Sequence, residues 1–308
     1  MTMEAPLGST AEAPQLRPLG VGDIIDRVLR MYRQRPVLFL TLSAIPNLIG
    51  VLIAQGARLV WPNAFLDFDQ FAFLNDPNRM LAQLQAQQGR SGDTIVGLVS
   101  VIPQSLGIAA LTYAAANMYL GRPVAIGAAF RAALADVPRL ILTLFVLVIV
   151  LFGIWFAAIF VSTLPAVISG IGILIILVFF AVAVLPFFLL ASFALVPTVS
   201  ALEDAGPIHS MRRSLQLIAG SRWRIIGLLV LLLVLEIVLG VVLSAVFLGA
   251  FLSQSTAGRV AAVLVGAAGT IAWEPLPWAT LALFYYDMRV RKEALDLQLA
   301  AEALPRTE

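Results

Sequence analysis

Six stretches of the chain are apolar with no more than one charge in the interior of each: 36–61, 94–120, 139–163, 167–198, 223–252 and 258–286. A helix crosses a bilayer core of about 30 Å in ~20 residues, so each stretch is long enough to span. The runs are continuous in Leu, Val, Ile, Ala and Phe, without the ~10-residue alternating segments of a barrel strand. Backbone groups in lipid must be paired inside the spanning element, which leaves helices. The pattern predicts an all-α polytopic membrane protein with six transmembrane helices, arranged as three helical hairpins.

Between the spans the pattern changes to one apolar face per helical turn. Val21, Ile24, Ile25, Val28, Leu29 and Tyr32 recur at helical spacing, with Asp23, Asp26, Arg27, Arg30 and Arg33 on or near the other face. The segment 124–137 repeats the design with Ile126, Phe130, Ala133, Leu134 and Val137. The segment 206–219 repeats it with Ile208, Met211, Leu215 and Ile218. These are expected to be cytoplasmic amphipathic interfacial helices, apolar side toward the membrane. Arg27, Arg30, Arg33, Arg212 and Arg213 are then candidate contacts for anionic lipid headgroups. The plainer reading is that such helices only orient the spans.

Composition agrees with a membrane chain: 60% of residues are hydrophobic and 12% charged, against ~25% charged in a soluble domain. The basic residues set the orientation. Sixteen lie before span one, between spans two and three, between four and five, or after span six; Arg58, Arg79, Arg90 and Arg259 lie on the other side. The positive-inside rule places both termini in the cytoplasm. Nineteen arginines against one lysine, with abundant Ala, Val, Leu and Gly, suggest a GC-rich bacterial genome and hence a bacterial plasma membrane. Residues 1–18 have no apolar core of a signal peptide and read as a disordered cytoplasmic tail. The transmembrane domain is expected over 19–288 and a cytoplasmic C-terminal tail over 289–308.

The loop 62–93 faces the other side. Phe65, Phe68, Phe71 and Phe73 suit a loop resting on the outer interface. An offset of 82–83 residues sets Pro103 on Pro186, Ile126 on Ile208 and Arg131 on Arg213, a faint internal repeat. Gly170 and Gly172, like Gly266 and Gly269, suit close packing of helices.

Candidate chemistry is sparse. There are no cysteines, no phosphate loop and no nucleophile elbow. The basic loops carry few aromatics, so nucleic acid is not an expected partner. No catalytic residue, metal ligand or cofactor site is expected. What remains are polar groups inside the spans, where a charge costs ~2.5–3.5 kcal/mol on insertion scales. Glu236 and Glu274 have similar depths on consecutive antiparallel helices; with Asn47 and Gln104, each following a proline, they form the candidate intramembrane polar site. The plainer reading is local bonding to carbonyls freed by proline. At the end of span six, Tyr286, Asp287, Arg289, Arg291 and Glu293 form a candidate docking motif. Its i, i+4 pairs give only ~0.2–0.5 kcal/mol each, so the segment is expected to dock on the other cytoplasmic helices, at Asp23 or Asp26.

Three motifs carry a family resemblance. They are Leu19-Gly-Val-Gly-Asp-Ile-Ile-Asp-Arg-Val-Leu-Arg-Met-Tyr-Arg, Ala205-Gly-Pro-Ile-His-Ser-Met-Arg-Arg-Ser-Leu-Gln-Leu-Ile-Ala-Gly, and Phe284-Tyr-Tyr-Asp-Met-Arg-Val-Arg-Lys-Glu-Ala-Leu-Asp-Leu. Together they resemble the bacterial family named for the membrane domain of glycerophosphoryl diester phosphodiesterase. The resemblance implies a stand-alone membrane domain without the catalytic barrel, and no catalytic residue transfers. The expected function is that of a non-enzymatic integral membrane module acting by association with membrane lipids or a separately encoded protein. The alternative is a proton- or cation-coupled transporter of a small solute using the buried carboxylates.

Overall fold

The computed structural model describes residues 18–64, 91–169, 185–253 and 255–302. Those residues are helical without strands, and six helices are long and apolar enough to cross a membrane. Helix α1 is Val21–Gln34, α2 Pro36–Val60, α3 Gly92–Tyr119 and α4 Ile126–Ser169. The fourth span is described over Leu185–Leu202, and its last turns, Val196–Leu202, are α5. Then follow α6 (Pro207–Ile218), α7 (Arg222–Ser253), α8 (Thr256–Trp273), α9 (Pro275–Glu293) and α10 (Leu295–Glu302).

Helix α9 lies at the centre. Every residue from Ala279 to Met288 is buried, as expected of a helix surrounded on all sides. It packs on α1, α3, α5 and α6. Helix α3, one of these neighbours, carries Ala109, Ala110, Ala114, Ala115 and Ala116, all buried. Lipid tails are as apolar as leucine, so helices in a bilayer gain by close van der Waals approach, and small side chains permit it. Helices α4 and α7 are peripheral, with Phe145, Phe152, Val241 and Val242 exposed along them. Gly266 and Gly269 of α8 meet α7: a Cβ on Gly269 would lie 2.5 Å from Leu243 Cδ1, and one on Gly266 3.1 Å from Phe247 Cζ. The packing role expected for these two glycines is present; Gly170 and Gly172 lie outside the described residues, as do the phenylalanine-rich part of the 62–93 loop and the expected N-terminal tail up to Arg17.

The connections near the arginine-rich ends are short and sharply turned. Gly121 (φ +72°) follows α3 and Gly220 (φ +76°) separates α6 from α7, both in the left-handed conformation that glycine adopts at helix C-termini.

Several elements differ from the sequence reading. The amphipathic segment 124–137 and span three form one 44-residue helix, α4. Proline disfavours helix at the residue before it, which is why Pro138 reads as a boundary, yet the helix continues through it. Span six is two helices, with Glu274 at the turn between α8 and α9; Pro275 removes one helical N–H and sits where it is tolerated, in the first turn of α9. Helix α9 continues past residue 288 to Glu293 and α10 follows, so the expected boundary of a C-terminal tail at 289 falls inside a helix. Helix α3 packs along both α2 and α4.

Candidate functional site

Two polar constellations stand out, one at the arginine-rich end of the bundle and one inside the spans. The first is centred on Asp287, which is 0% exposed. Its Oδ1 accepts from the Leu19 N–H at 2.8 Å and from Arg291 Nε at 3.0 Å, and its Oδ2 accepts from Arg224 Nη2 at 3.0 Å. The Leu19 carbonyl accepts in turn from Arg224 Nη2 at 2.7 Å and Arg291 Nη2 at 3.0 Å. Both backbone polar groups of one residue, the N–H and the carbonyl of Leu19, are therefore held. The next residues begin α1: the Gly20 N–H donates to Asp23 Oδ2 at 2.9 Å, which occupies one of the free donors at a helix start. A buried carboxylate is tolerable only when paired and fully bonded, and Asp287 meets that condition with groups from three separate parts of the chain.

A second network adjoins it on α9. Arg213 Nε donates to Glu203 at 2.9 Å and its Nη1 lies 2.5 Å from Glu293 Oε1. Arg289 Nε donates to Glu293 Oε2 at 2.9 Å and its Nη1 to the Tyr285 hydroxyl at 3.3 Å. The Tyr285 hydroxyl donates to Glu203 Oε1 at 2.7 Å, closing a ring of five side chains. Hydrogen bonds from Arg213 to Glu293, opposed by desolvation and supported by Glu203, hold Arg213 above the ordinary arginine range. Lys292 Nζ donates to the Gln216 carbonyl at 2.7 Å and also to that of Ala219, covering carbonyls left open at the C-terminal end of α6. Arg139 bridges Asp136 at 2.6 Å and Asp204 at 2.8 Å, tying α4 to the turn after α5; Asp204 itself has φ +51°.

The closing segment of α9 makes its polar contacts elsewhere than at Asp23 or Asp26. Its partners are the Leu19 peptide, Arg224, Arg213 and Glu203. Tyr286 is buried against Tyr119, ring centroids 5.6 Å apart. Of the candidate headgroup contacts, Arg27 lies over the Tyr119 ring at 4.7 Å and Arg213 is inside the ring of five. Arg30, Arg33 and Arg212 are exposed.

The aliphatic stripe of helix α6 is split between exposed and buried positions. Its buried face is Ser210, Ser214, Leu217 and Ile218. Ser210 Oγ donates to the Ala205 carbonyl at 3.2 Å and Ser214 Oγ to the Ser192 carbonyl at 3.0 Å. Ile208 and Leu215, expected on the side toward the membrane, are exposed beside Arg212, while Ile218 of the same stripe is buried.

The second constellation lies between α2 and the break in span six. Ser43 Oγ donates to Glu274 Oε2 at 2.8 Å, and Asn47 Nδ2 donates to the same oxygen. Asn47 Nδ2 also bonds the Ser43 carbonyl at 2.9 Å. On the far side is Gly107 of α3, where a Cβ would lie 3.5 Å from Glu274 Oε1 and 3.4 Å from the Pro46 ring. The Tyr32 hydroxyl of α1 donates to the Ala272 carbonyl at 3.3 Å. Ser43 and Asn47 stand seven and eleven residues into α2, or ~10 and ~16 Å from its first residue at 1.5 Å per residue. Of the four polar residues predicted to meet, Glu274 and Asn47 do. Glu236 is exposed on α7 and Gln104 is exposed on α3 between buried Pro103 and Ser105, so the pair of carboxylates is not formed.

Sequence reasoning missed Leu19, Arg224, Glu203, Ser43 and Gly107. Leu19 takes part through its backbone, which carries no side-chain signal. Ser43 precedes Asn47 by one helical turn, and that spacing was legible. No curated protein and no solved structure matches the chain. Residues 19–285 match the model of a family described as Domain of unknown function (DUF7847), a span that begins at the clamped Leu19 and ends two residues short of Asp287, and the chain belongs to that family.

Proposed function

We propose that this protein is an integral membrane module without enzymatic activity of its own, working by association with lipids or a protein partner in the bacterial plasma membrane, with both termini in the cytoplasm. The observation that carries this reading is the orientation of α6. A helix on a water-facing surface buries its aliphatic side chains and leaves serines outside. Helix α6 buries Ser210 and Ser214 with Leu217 and Ile218 on one side, and exposes Ile208 and Leu215 next to Arg212 on the other. That arrangement suits a surface covered by something apolar with negative charge at its rim, as at the boundary of acyl chains and anionic headgroups. Exposed Trp223 at the start of α7 fits the same interfacial level. The arginines that the networks leave exposed, Arg30, Arg33 and Arg212, are the headgroup contacts in this reading. The likeness of three motifs to the glycerophosphoryl diester phosphodiesterase membrane-domain family supports a stand-alone module.

The test compares lipid retained by purified protein after washing in detergent. A variant with Arg30, Arg33 and Arg212 changed to Gln should keep its melting temperature and retain less phosphatidylglycerol relative to phosphatidylcholine. Unchanged retention would remove lipid association from the proposal.

A further inference from the structure

We infer that Ser43, Asn47 and Glu274 form a binding site for one monovalent cation, taken up as sodium or as a proton. The reasoning counts donors and acceptors. Glu274 brings two carboxyl oxygens into a span, Ser43 one hydroxyl and Asn47 one amide. No cationic side chain pairs with Glu274 among the described residues. Three prolines surround these groups in sequence, Pro46, Pro275 and Pro277. A proline has no N–H to give the carbonyl four residues before it, so Leu42, Ile271 and Trp273 each lose a helical donor. Leu42 is the neighbour of Ser43, and Trp273 of Glu274.

Acceptors therefore outnumber donors at this place. Both available side-chain donors, Ser43 Oγ and Asn47 Nδ2, point to one oxygen, Oε2. Oε1 faces Gly107, whose missing side chain leaves room for the carboxyl group: even a methyl there would stand 3.5 Å away. A surplus of oxygens with one negative charge and no cationic side chain beside it, inside a span, calls for a positive ligand. Broken helices whose free carbonyls and polar side chains meet inside a span are suited to hold sodium or a proton. Divalent ions are disfavoured because a single carboxylate is present, where such ions are held by several oxygen ligands including more charge. Sodium and the proton compete for the same oxygens, so one displaces the other. From α2 the carboxyl bonds Ser43 and Asn47, and Gly107 of α3 faces it; the titratable group bonded close by is Tyr32 of α1, through the Ala272 carbonyl.

The experiment is a melting series on the purified full chain in detergent, in sodium, potassium or choline chloride at equal ionic strength, at pH 8 and pH 6. Emission from Trp273 and Trp278, which flank Glu274, is followed in parallel. At sodium well above its dissociation constant, the melting temperature should rise by about 3 °C over choline at pH 8 and by less at pH 6, and Glu274→Gln should abolish the difference. If the salts are equivalent but a pH-dependent emission change disappears in Glu274→Gln, the ligand is the proton alone. Should Glu274→Gln not fold, Ser43→Ala retains the charge and removes one oxygen; it should raise the sodium concentration at half effect by about fivefold or more, a ~1 kcal/mol loss. A wild-type protein indifferent to cation and without a pH-dependent emission change overturns the inference.

Discussion

Leu19 and Asp287 are separated by 268 positions, yet the Leu19 amide donates to the buried carboxylate at 2.8 Å. The contact joins the entry of α1 to the central helix, and Arg224 and Arg291 complete it by binding the Leu19 carbonyl. Removing one member of a buried, bonded charge cluster leaves the others uncompensated, which typically costs ~3–5 kcal/mol. Asp287→Ala should therefore lower the detergent melting temperature sharply. Asp287→Asn keeps an oxygen for the Leu19 amide and should cost less. Equal loss in both variants would show that the charge, not the shape, is what matters.

The ring through Glu203, Arg213, Glu293, Arg289 and Tyr285 yields a separate expectation. Tyr285→Phe deletes one hydroxyl that both donates to Glu203 and accepts from Arg289 while keeping the buried aromatic ring. A loss of ~1–3 kcal/mol follows from hydrogen bonds to charged groups. The effect should be smaller in a Glu203→Gln background, because the two residues share a bond. Additive losses in the double variant would contradict the ring.

Topology is checked without reference to either network. An even number of spans with arginines concentrated on one side places the two ends of the chain together. Reporter fusions after Gln87 and after Thr307 should read on opposite sides of the membrane. Identical readings would contradict six spans with cytoplasmic termini.

The spans were legible because a run of twenty apolar residues has few alternatives. Contacts between them were not. A uniformly apolar helix has no polar face to reveal its rotation, so equal depth made Glu236 and Glu274 look like partners. Rotation instead leaves Glu236 exposed on α7 and sets Glu274 against Ser43 and Asn47. Helix α6 was legible only in part, since its stripe leaves Ile208 and Leu215 exposed and buries Ile218. Periodicity finds the aliphatic stripe of Ile208 and Leu215, but which side turns inward depends on what covers the outside. In the Asp287 cluster, the Asp287–Arg291 pair at i, i+4 was visible in sequence; Leu19 was not, because its part is played by a peptide group common to almost every residue.

Close approach of α7 and α8 at Gly269 carries the last prediction. A Cβ there would meet Leu243 Cδ1 at 2.5 Å, with Cδ2 and Cγ at 3.6 and 3.7 Å. The nearest atom is the tip of a flexible side chain, so Gly269→Ala asks Leu243 to turn into another rotamer, at ~0.5–1.5 kcal/mol if it is forced off its preferred angle. Alanine also favours helix over glycine by about 1 kcal/mol, and the two effects nearly cancel. Gly269→Ile adds a branched side chain that no single rotamer change can clear, and overpacking of this kind costs ~1–3 kcal/mol. The melting temperature should stay close to wild type in Gly269→Ala and fall in Gly269→Ile. A paired Leu243→Ala substitution should recover part of the loss, because it empties the space the isoleucine needs. Failure of that rescue would place the isoleucine's clash somewhere other than α7.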